Sequence, residues 1–136
     1  MDGRALLDVA RELAAGSSEP HWRASVGRSY YALLHEVLGT LQRWGFSLPP
    51  RDKVHTFARL KLIYATDRDL KRIGLMLEAL GRLRNAADYQ LSLSGPFVSA
   101  KIAVSALADA EATVVLLDAL EADPVRRAAA LGSIPP

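Results

Sequence analysis

Residues 22–41, WRASVGRSYYALLHEVLGTL, are the stretch that decides the fold of this chain. Apolar side chains recur in it every three or four residues, which is the period of an α-helix with one buried face. Projected at about 100° per residue, one broad face carries Trp22, Val26, Tyr30, Leu33, Leu34, Val37 and Leu41. The other side carries Ala24, Ser25, Arg28, Ala32, His35 and Gly39. Because small residues let a second backbone approach closely, we expect this helix to be contacted on two sides, either as the central helix of a bundle or at a subunit interface.

Helix-like patterns cover almost all of the remaining chain, and residues typical of helix ends separate them. Asp2 and Ser18 are placed to cap the first and second helices, and Gly45 is placed to end the second. The helices predicted in this way cover approximately residues 2–15, 18–44, 51–65, 66–91 and 96–122. The chain is therefore predicted to be an all-α bundle of four or five helices over residues 1–122. Residues 123–136 are predicted to form a short helical turn and a flexible C-terminal tail.

The composition of the chain excludes several classes of protein. Half of its 136 residues are hydrophobic, which is enough for one folded domain and excludes general disorder. There is no cysteine, so disulfides and thiolate metal sites are excluded, and the three scattered histidines lack the spacing of metal ligands. No run approaches the roughly 20 apolar residues that cross a bilayer, and the first residues lack a signal-peptide pattern. We therefore expect a cytoplasmic protein with no membrane segment, metal or cofactor.

The charge of the chain is small overall but unevenly distributed. The formal net charge is +2, which does not by itself indicate a nucleic-acid partner. Residues 51–84, however, carry only four acidic side chains against the basic ones Arg51, Lys53, Arg59, Lys61, Arg68, Lys71, Arg72, Arg82 and Arg84. This local surplus indicates either a surface that attracts a phosphate backbone or a solvated helix face, and the sequence leaves both open.

One charged residue interrupts the apolar stripe of the fourth predicted helix. The stripe follows the three-four spacing of a core face and consists of Leu70, Ile73, Leu77, Leu80, Arg84 and Ala87. Because an unpaired buried charge is costly, a guanidinium at this position must pair, extend to solvent or face a cleft. Asp88, one turn later, is placed to pair with Arg84. The sequence thus singles out Arg84 as a candidate functional residue.

Three segments of the chain together resemble a known family. They are Arg28-Ser29-Tyr30-Tyr31-Ala32-Leu33-Leu34-His35, Lys53-Val54-His55 and Arg84-Asn85-Ala86-Ala87-Asp88-Tyr89. In these motifs, and over about residues 5–120, the chain resembles small prokaryotic HEPN-domain proteins. This resemblance implies an up-and-down helical bundle of HEPN type. It also implies a homodimer with the arginine motifs near its interface. Many members of that family are metal-independent ribonucleases, and others are toxins or binding modules that act with a separately encoded nucleotidyltransferase.

The chain departs from the nuclease motif of that family at one position. In the family four to six residues separate an arginine and a histidine on one helix. The histidine moves a proton from the ribose 2′-hydroxyl, and the arginine stabilises the charge on the phosphate. Here Arg84 and Asn85 match the start of the motif, but Tyr89 stands where the histidine would be. Tyrosine, with an ordinary pKa of about 10, is a poor proton shuttle at neutral pH. His35 or His55 would have to supply the imidazole.

The sequence supports three hypotheses for function. The first is a HEPN module of a toxin–antitoxin-like system that binds RNA or a nucleotide and a nucleotidyltransferase partner, with Tyr89 as a candidate acceptor of a nucleotidyl group. Its binding residues would be Arg84, Arg28, Tyr31, Asn85, Asp88 and Tyr89. The second is a metal-independent endoribonuclease with Arg84 and either His35 or His55 as catalytic residues. The third is a structural dimerisation module, in which Arg84 and Asp88 form a buried pair and Arg28, Tyr31 and His35 bond across the interface.

Overall fold

A computed structural model describes residues 2–136 of the chain. In this range the backbone forms six α-helices and no strand: α1 Gly3–Ala14, α2 Glu19–Arg43, α3 Val54–Ile63, α4 Arg68–Tyr89, α5 Lys101–Ala122 and α6 Pro124–Gly132. Short 3₁₀ turns at Arg51–Lys53 and Gly95–Phe97 precede α3 and α5. The prediction of an all-α bundle is confirmed, with one helix more than expected. None of these helices is both long and apolar enough to cross a membrane.

Helix α2 is the central helix, and it packs against α1, α4 and α5. All but one member of its predicted apolar face are buried, namely Val26, Tyr30, Leu33, Leu34, Val37 and Leu41. Trp22 is half-buried and donates its indole N–H to the carbonyl of Gly16 at 2.9 Å. The predicted face is therefore the one that forms the core of the bundle.

The small-residue side of α2 receives α1 from the same chain. Ser25 is fully buried there and donates its hydroxyl to the carbonyl of Ala10 at 2.7 Å. Gly3 lies so close to α2 that a Cβ atom on it would be 3.2 Å from the carbonyl oxygen of Ala32. The sequence left open whether these small residues face a helix of the same chain or a second subunit. Packing against α1 of the same chain accounts for Ser25 and Ala32.

The helix ends follow the predicted signals with shifts of a few residues. Asp2 caps α1 as predicted, and Gly45 ends α2 with a φ of +99°, a conformation that favours glycine. The hydroxyl of Ser18 instead bonds Nδ1 of His21 at 2.6 Å and leaves the backbone at the start of α2 uncapped. Asp67 caps α4 by accepting from the N–H groups of the two residues after Arg68, so this helix begins two residues later than expected.

The C-terminal segment contains more structure than the short turn predicted from sequence. Helix α6 has nine residues and is capped by Asp123. The next residues contact the start of α4, because Ser133 accepts from the backbone N–H groups of Thr66 and Asp67 and Ile134 is buried. Helix α6 is short, with nine residues, so it offers only about two turns in which a helical period can be recognised.

Candidate functional site

Three helices bring polar side chains together around one cleft of about 260 Å³. Helix α2 contributes Tyr30, α3 contributes residues from its first two turns, and α4 contributes its C-terminal half. The lining residues are Tyr30, His55, Thr56, Arg59, Leu77, Glu78, Gly81, Arg82, Arg84 and Asn85. Because α3 and α4 are joined by a short turn and pack against each other, the start of α3 faces the second half of α4.

Arg84 is mostly buried but opens onto this cleft. Its side chain is 17 % exposed, and one guanidinium nitrogen donates to the hydroxyl of Tyr31. A second donates to the side-chain oxygen of Asn85 at 3.0 Å. The predicted partner Asp88 lies 3.0 Å from Nε, yet the angle is unsuitable for a hydrogen bond, so this contact is an ion pair alone. Arg84 therefore both pairs with its own helix and presents a charge to the cleft.

Tyr31 connects Arg84 to both nearby histidines. The guanidinium carbon of Arg84 lies 5.0 Å from the centre of the Tyr31 ring, within range of a cation–π contact. The ring of Tyr31 also lies 6.0 Å from that of His55 and 6.5 Å from that of His35. Each of the three motifs of the family resemblance therefore contributes to one cluster. The cluster consists of Tyr31 and His35, His55, and Arg84.

Tyr30 and His55 form a hydrogen-bonded pair in the wall of the cleft. The Tyr30 hydroxyl lies 2.6 Å from Nδ1 of His55, and the two rings are stacked. Burial raises the pKa of Tyr30 to about 12. Burial, and then the charges of Arg84 and His35, lower the pKa of His55. Both groups are therefore uncharged at neutral pH, and Nε2 remains the ring nitrogen of His55 that is free for a ligand.

The cleft carries an excess of positive charge. Arg59, Arg82 and Arg84 line it, whereas Glu78 is the one carboxylate among its lining residues. Glu78 lies 3.2 Å from a guanidinium nitrogen of Arg82 and 3.6 Å from one of Arg59, so it neutralises only part of this charge. Three guanidinium groups around one small volume are suited to an anion, and above all to a phosphate.

Some of the residues that the sequence singled out lie outside the cleft lining. Arg28 is exposed and forms no ion pair or hydrogen bond with residues 2–136 beyond its helix backbone. His35 is exposed and reaches the cluster only through the Tyr31 ring. Tyr89 is 73 % exposed at the end of α4, where its ring centre lies 5.7 Å from the guanidinium carbon of Arg84. The end of the helix therefore brings Tyr89 back towards Arg84.

Sequence reasoning missed a second buried arginine beside the site. Arg23 is 7 % exposed and donates to the carbonyls of Ala86, Ala87, Gln90 and Leu93, at distances between 2.7 and 3.3 Å. It thereby caps the C-terminal end of α4 and holds the loop that follows. Arg23 precedes Val26 and Tyr30 by three and seven residues, which is the same spacing signal that singled out Arg84.

Comparisons with known proteins add no family to this description. No protein-family model, curated protein or solved structure matches the chain. A helical bundle with an arginine-lined cleft is the description that residues 2–136 support.

Proposed function

We propose that this chain is a HEPN-type module that binds RNA or a nucleotide through a phosphate group in the cleft around Arg84. The observation that carries the proposal is that Arg84, which interrupts the leucine stripe of α4, opens onto a cleft with two further arginines. An arginine needed only for an ion pair with Asp88 would not require Arg59 and Arg82 beside it. Each terminal guanidinium nitrogen of Arg84 makes one side-chain hydrogen bond, to Asn85 or to Tyr31, and so has a second N–H for a phosphate oxygen.

The side chains around Arg84 already hold its guanidinium in position for a phosphate. Tyr31 and Asn85 hold the guanidinium of Arg84 in one orientation, which reduces the entropy lost when a ligand binds. Asp88 lies beside Nε and competes with the ligand for the same charge. The expected ligand is therefore one that brings several negative charges, as a nucleotide or RNA strand does.

Binding of a fluorescent single-stranded RNA, and competition by a nucleotide, tests this proposal. Hydrogen bonds to charged groups contribute about 1.5–3 kcal/mol, so Arg84→Gln should weaken binding by roughly tenfold or more. Arg127→Gln, which removes the same charge from an exposed position on α6, is the matched control and should retain binding. If Arg84→Gln binds RNA as tightly as Arg127→Gln does, Arg84 does not contact the ligand. The hypothesis of a structural dimerisation module is then favoured.

The same proposal includes a toxin–antitoxin-like pairing with a nucleotidyltransferase and a homodimer, which rest on the resemblance of the motifs. The exposed hydroxyl of Tyr89 beside Arg84 supports its role as an acceptor, because a nucleotidyl donor would bring phosphates towards that guanidinium. Mass spectrometry after co-expression with the product of the adjacent gene tests the modification. An unmodified Tyr89 in the presence of an active partner would end this part of the proposal.

A metal-independent endoribonuclease is a second candidate, favoured by the presence of His55 and Arg84 in one cleft. In this reaction the 2′-oxygen bonds to phosphorus while the bond to the 5′-oxygen breaks. The 2′-hydroxyl proton passes to Nε2 of His55, water protonates the leaving 5′-oxygen, and Arg84 stabilises the charge on the phosphate. This step needs the tautomer of His55 with its proton on Nδ1, which donates to the Tyr30 hydroxyl oxygen 2.6 Å away and holds the ring in place.

Cleavage of single-stranded RNA in the presence of a chelator, leaving cyclic-phosphate ends, tests the second candidate. Activity should be lost in Arg84→Gln and His55→Gln. His35→Gln should retain activity, because His35 lies outside the cleft lining. Unchanged activity in Arg84→Gln would remove this candidate and leave the binding function.

A further inference from the structure

A stripe of exposed arginines continues from the cleft along the outer face of α4. Arg68, Arg72 and Arg82 are all exposed, as are Leu75 and Ala79 between them. At about 100° per residue, these five positions fall within roughly 80° of one another around the helix. They therefore form one surface, which begins at the cleft with Arg82 and ends at the start of α4 with Arg68.

The charges of this stripe are largely unneutralised. The acidic residues of α4 are all engaged: Asp69 with Arg126 at 2.9 Å, Glu78 with Arg82, and Asp88 with Arg84. Within residues 2–136, neither Arg68 nor Arg72 forms an ion pair. Two exposed guanidinium groups are thus available to an anionic ligand outside the cleft.

The length of the stripe exceeds a single nucleotide. Fourteen residues separate Arg68 from Arg82, which corresponds to about 21 Å along a helix. A stacked strand advances about 3.4 Å per nucleotide, so this length matches about six nucleotides. The cleft itself, at about 260 Å³, is smaller than the roughly 300–1,000 Å³ of pockets that enclose a drug-sized ligand.

Resting on the proposed function, we propose that the ligand is single-stranded RNA that runs from the Arg84 cleft along the outer face of α4 to Arg68, and not a free nucleotide. Part of one nucleotide, with its phosphate, occupies the cleft, and the phosphates that follow it meet Arg82, Arg72 and Arg68. A duplex does not fit this arrangement, because its bases are stacked inside and cannot enter the cleft singly.

Binding of a uridine dinucleotide and a uridine decamer, measured by fluorescence anisotropy over a salt series, tests the inference. The double variant Arg68→Gln/Arg72→Gln is compared with Lys101→Gln/Arg127→Gln, which removes two exposed charges from α5 and α6. We expect the wild-type chain to bind the decamer more tightly than the dinucleotide. Each phosphate contact to a single strand contributes about 0.7 to the slope of log K against log salt, so the α4 variant should lose about 1.4 for the decamer. Its affinity for the dinucleotide should not change.

Failure of the inference and failure of the proposed function give different results. If the α4 variant keeps the wild-type slope for the decamer, or the control variant loses as much, the inference is overturned. If Arg84→Gln still weakens binding of both RNAs in that case, the proposed function stands. If neither RNA binds the wild-type chain, the inference is overturned, and the proposed function is overturned with it when a nucleotide does not bind either. Far-UV circular dichroism of each variant establishes that the helices are intact.

Discussion

The hydroxyl of Tyr30 on α2 lies 2.6 Å from Nδ1 of His55 on α3, and their rings are within 10° of parallel. This contact joins the central helix to the first turn of α3 at the wall of the cleft. Gly81 of α4 faces the same ring, since a Cβ atom there would lie 3.2 Å from Cε1 of Tyr30. The pair is therefore fixed from three helices, and the position of His55 in the cleft depends on it.

Removing the Tyr30 hydroxyl should destabilise the fold measurably. Tyr30→Phe keeps the packed ring but breaks the bond to His55, and we expect the free energy of unfolding in urea to fall by about 1 kcal/mol. Tyr64→Phe is the control, because Tyr64 is 64 % exposed and removal of its hydroxyl should leave stability unchanged. Equal stabilities of the two variants would contradict the assigned hydrogen bond.

His55 should make stability fall as the solution is acidified. Its pKa in the fold is lowered by burial and by nearby positive charge, so the unfolded chain takes up its proton at a higher pH than the folded chain does. The stabilising contribution is complete above the ordinary pKa of about 6.5 and is lost as the pH falls through the folded pKa.

The free energy of unfolding of wild type and His55→Gln between about pH 7.5 and pH 5 measures this contribution. The decline with acidification should be shallower in the variant. The raised pKa of Glu36, which acts in the opposite direction, contributes to both proteins and cancels in the difference. Parallel curves for the two proteins would show that His55 is not held neutral by the fold.

Neutralising Asp88 should strengthen RNA binding. Its carboxylate competes for the Arg84 guanidinium and repels phosphate, so Asp88→Asn should raise the affinity by up to about fivefold, equivalent to about 1 kcal/mol for a partly exposed pair. Asp118→Asn removes the same charge from a surface pair with Arg4 on α1 and serves as the control. Weaker binding in Asp88→Asn would mean that Asp88 orients Arg84 more than it competes with the ligand.

Arg23 should matter for stability far more than Arg28, although both lie on α2. Arg23→Met leaves the carbonyls at the end of α4 without their donor and should cost about 3 kcal/mol, the scale of one or two hydrogen bonds to a charged group. Arg28→Met, at an exposed position, should change stability by less than about 0.5 kcal/mol. Urea unfolding of the two variants checks the contrast, and similar losses would remove the capping role of Arg23.

Periodicity in the sequence predicted the helices better than it predicted their ends. The buried face of α2 followed directly from three-four spacing, because a long helix with many large apolar residues has one way to bury them. The predicted start of α5 was wrong by five residues, since Pro96 lies in a separate 3₁₀ turn at Gly95–Phe97 and Lys101 begins the helix. Proline is favoured at the start of both kinds of helix, so the sequence does not separate them.

The candidate site was only partly accessible to the same reasoning. Arg84 stood out because a charge interrupted an apolar stripe, and Tyr31 was named as a binding residue without being placed near Arg84. The pairing of Tyr30 with His55 was missed, because it depends on how α3 packs after the turn at Pro49 and Pro50. Spacing within one helix carries no information about contacts between helices.

The central claim is that the Arg84 guanidinium meets phosphate, and the Nε–H resonance of Arg84 in a ¹H–¹⁵N correlation spectrum tests it most directly. Arg84→Lys assigns the resonance by its disappearance. As the uridine decamer is added, the account predicts that this resonance shifts saturably, with the same dissociation constant that fluorescence anisotropy gives. A decamer that binds while the Arg84 resonance stays in place would contradict the account.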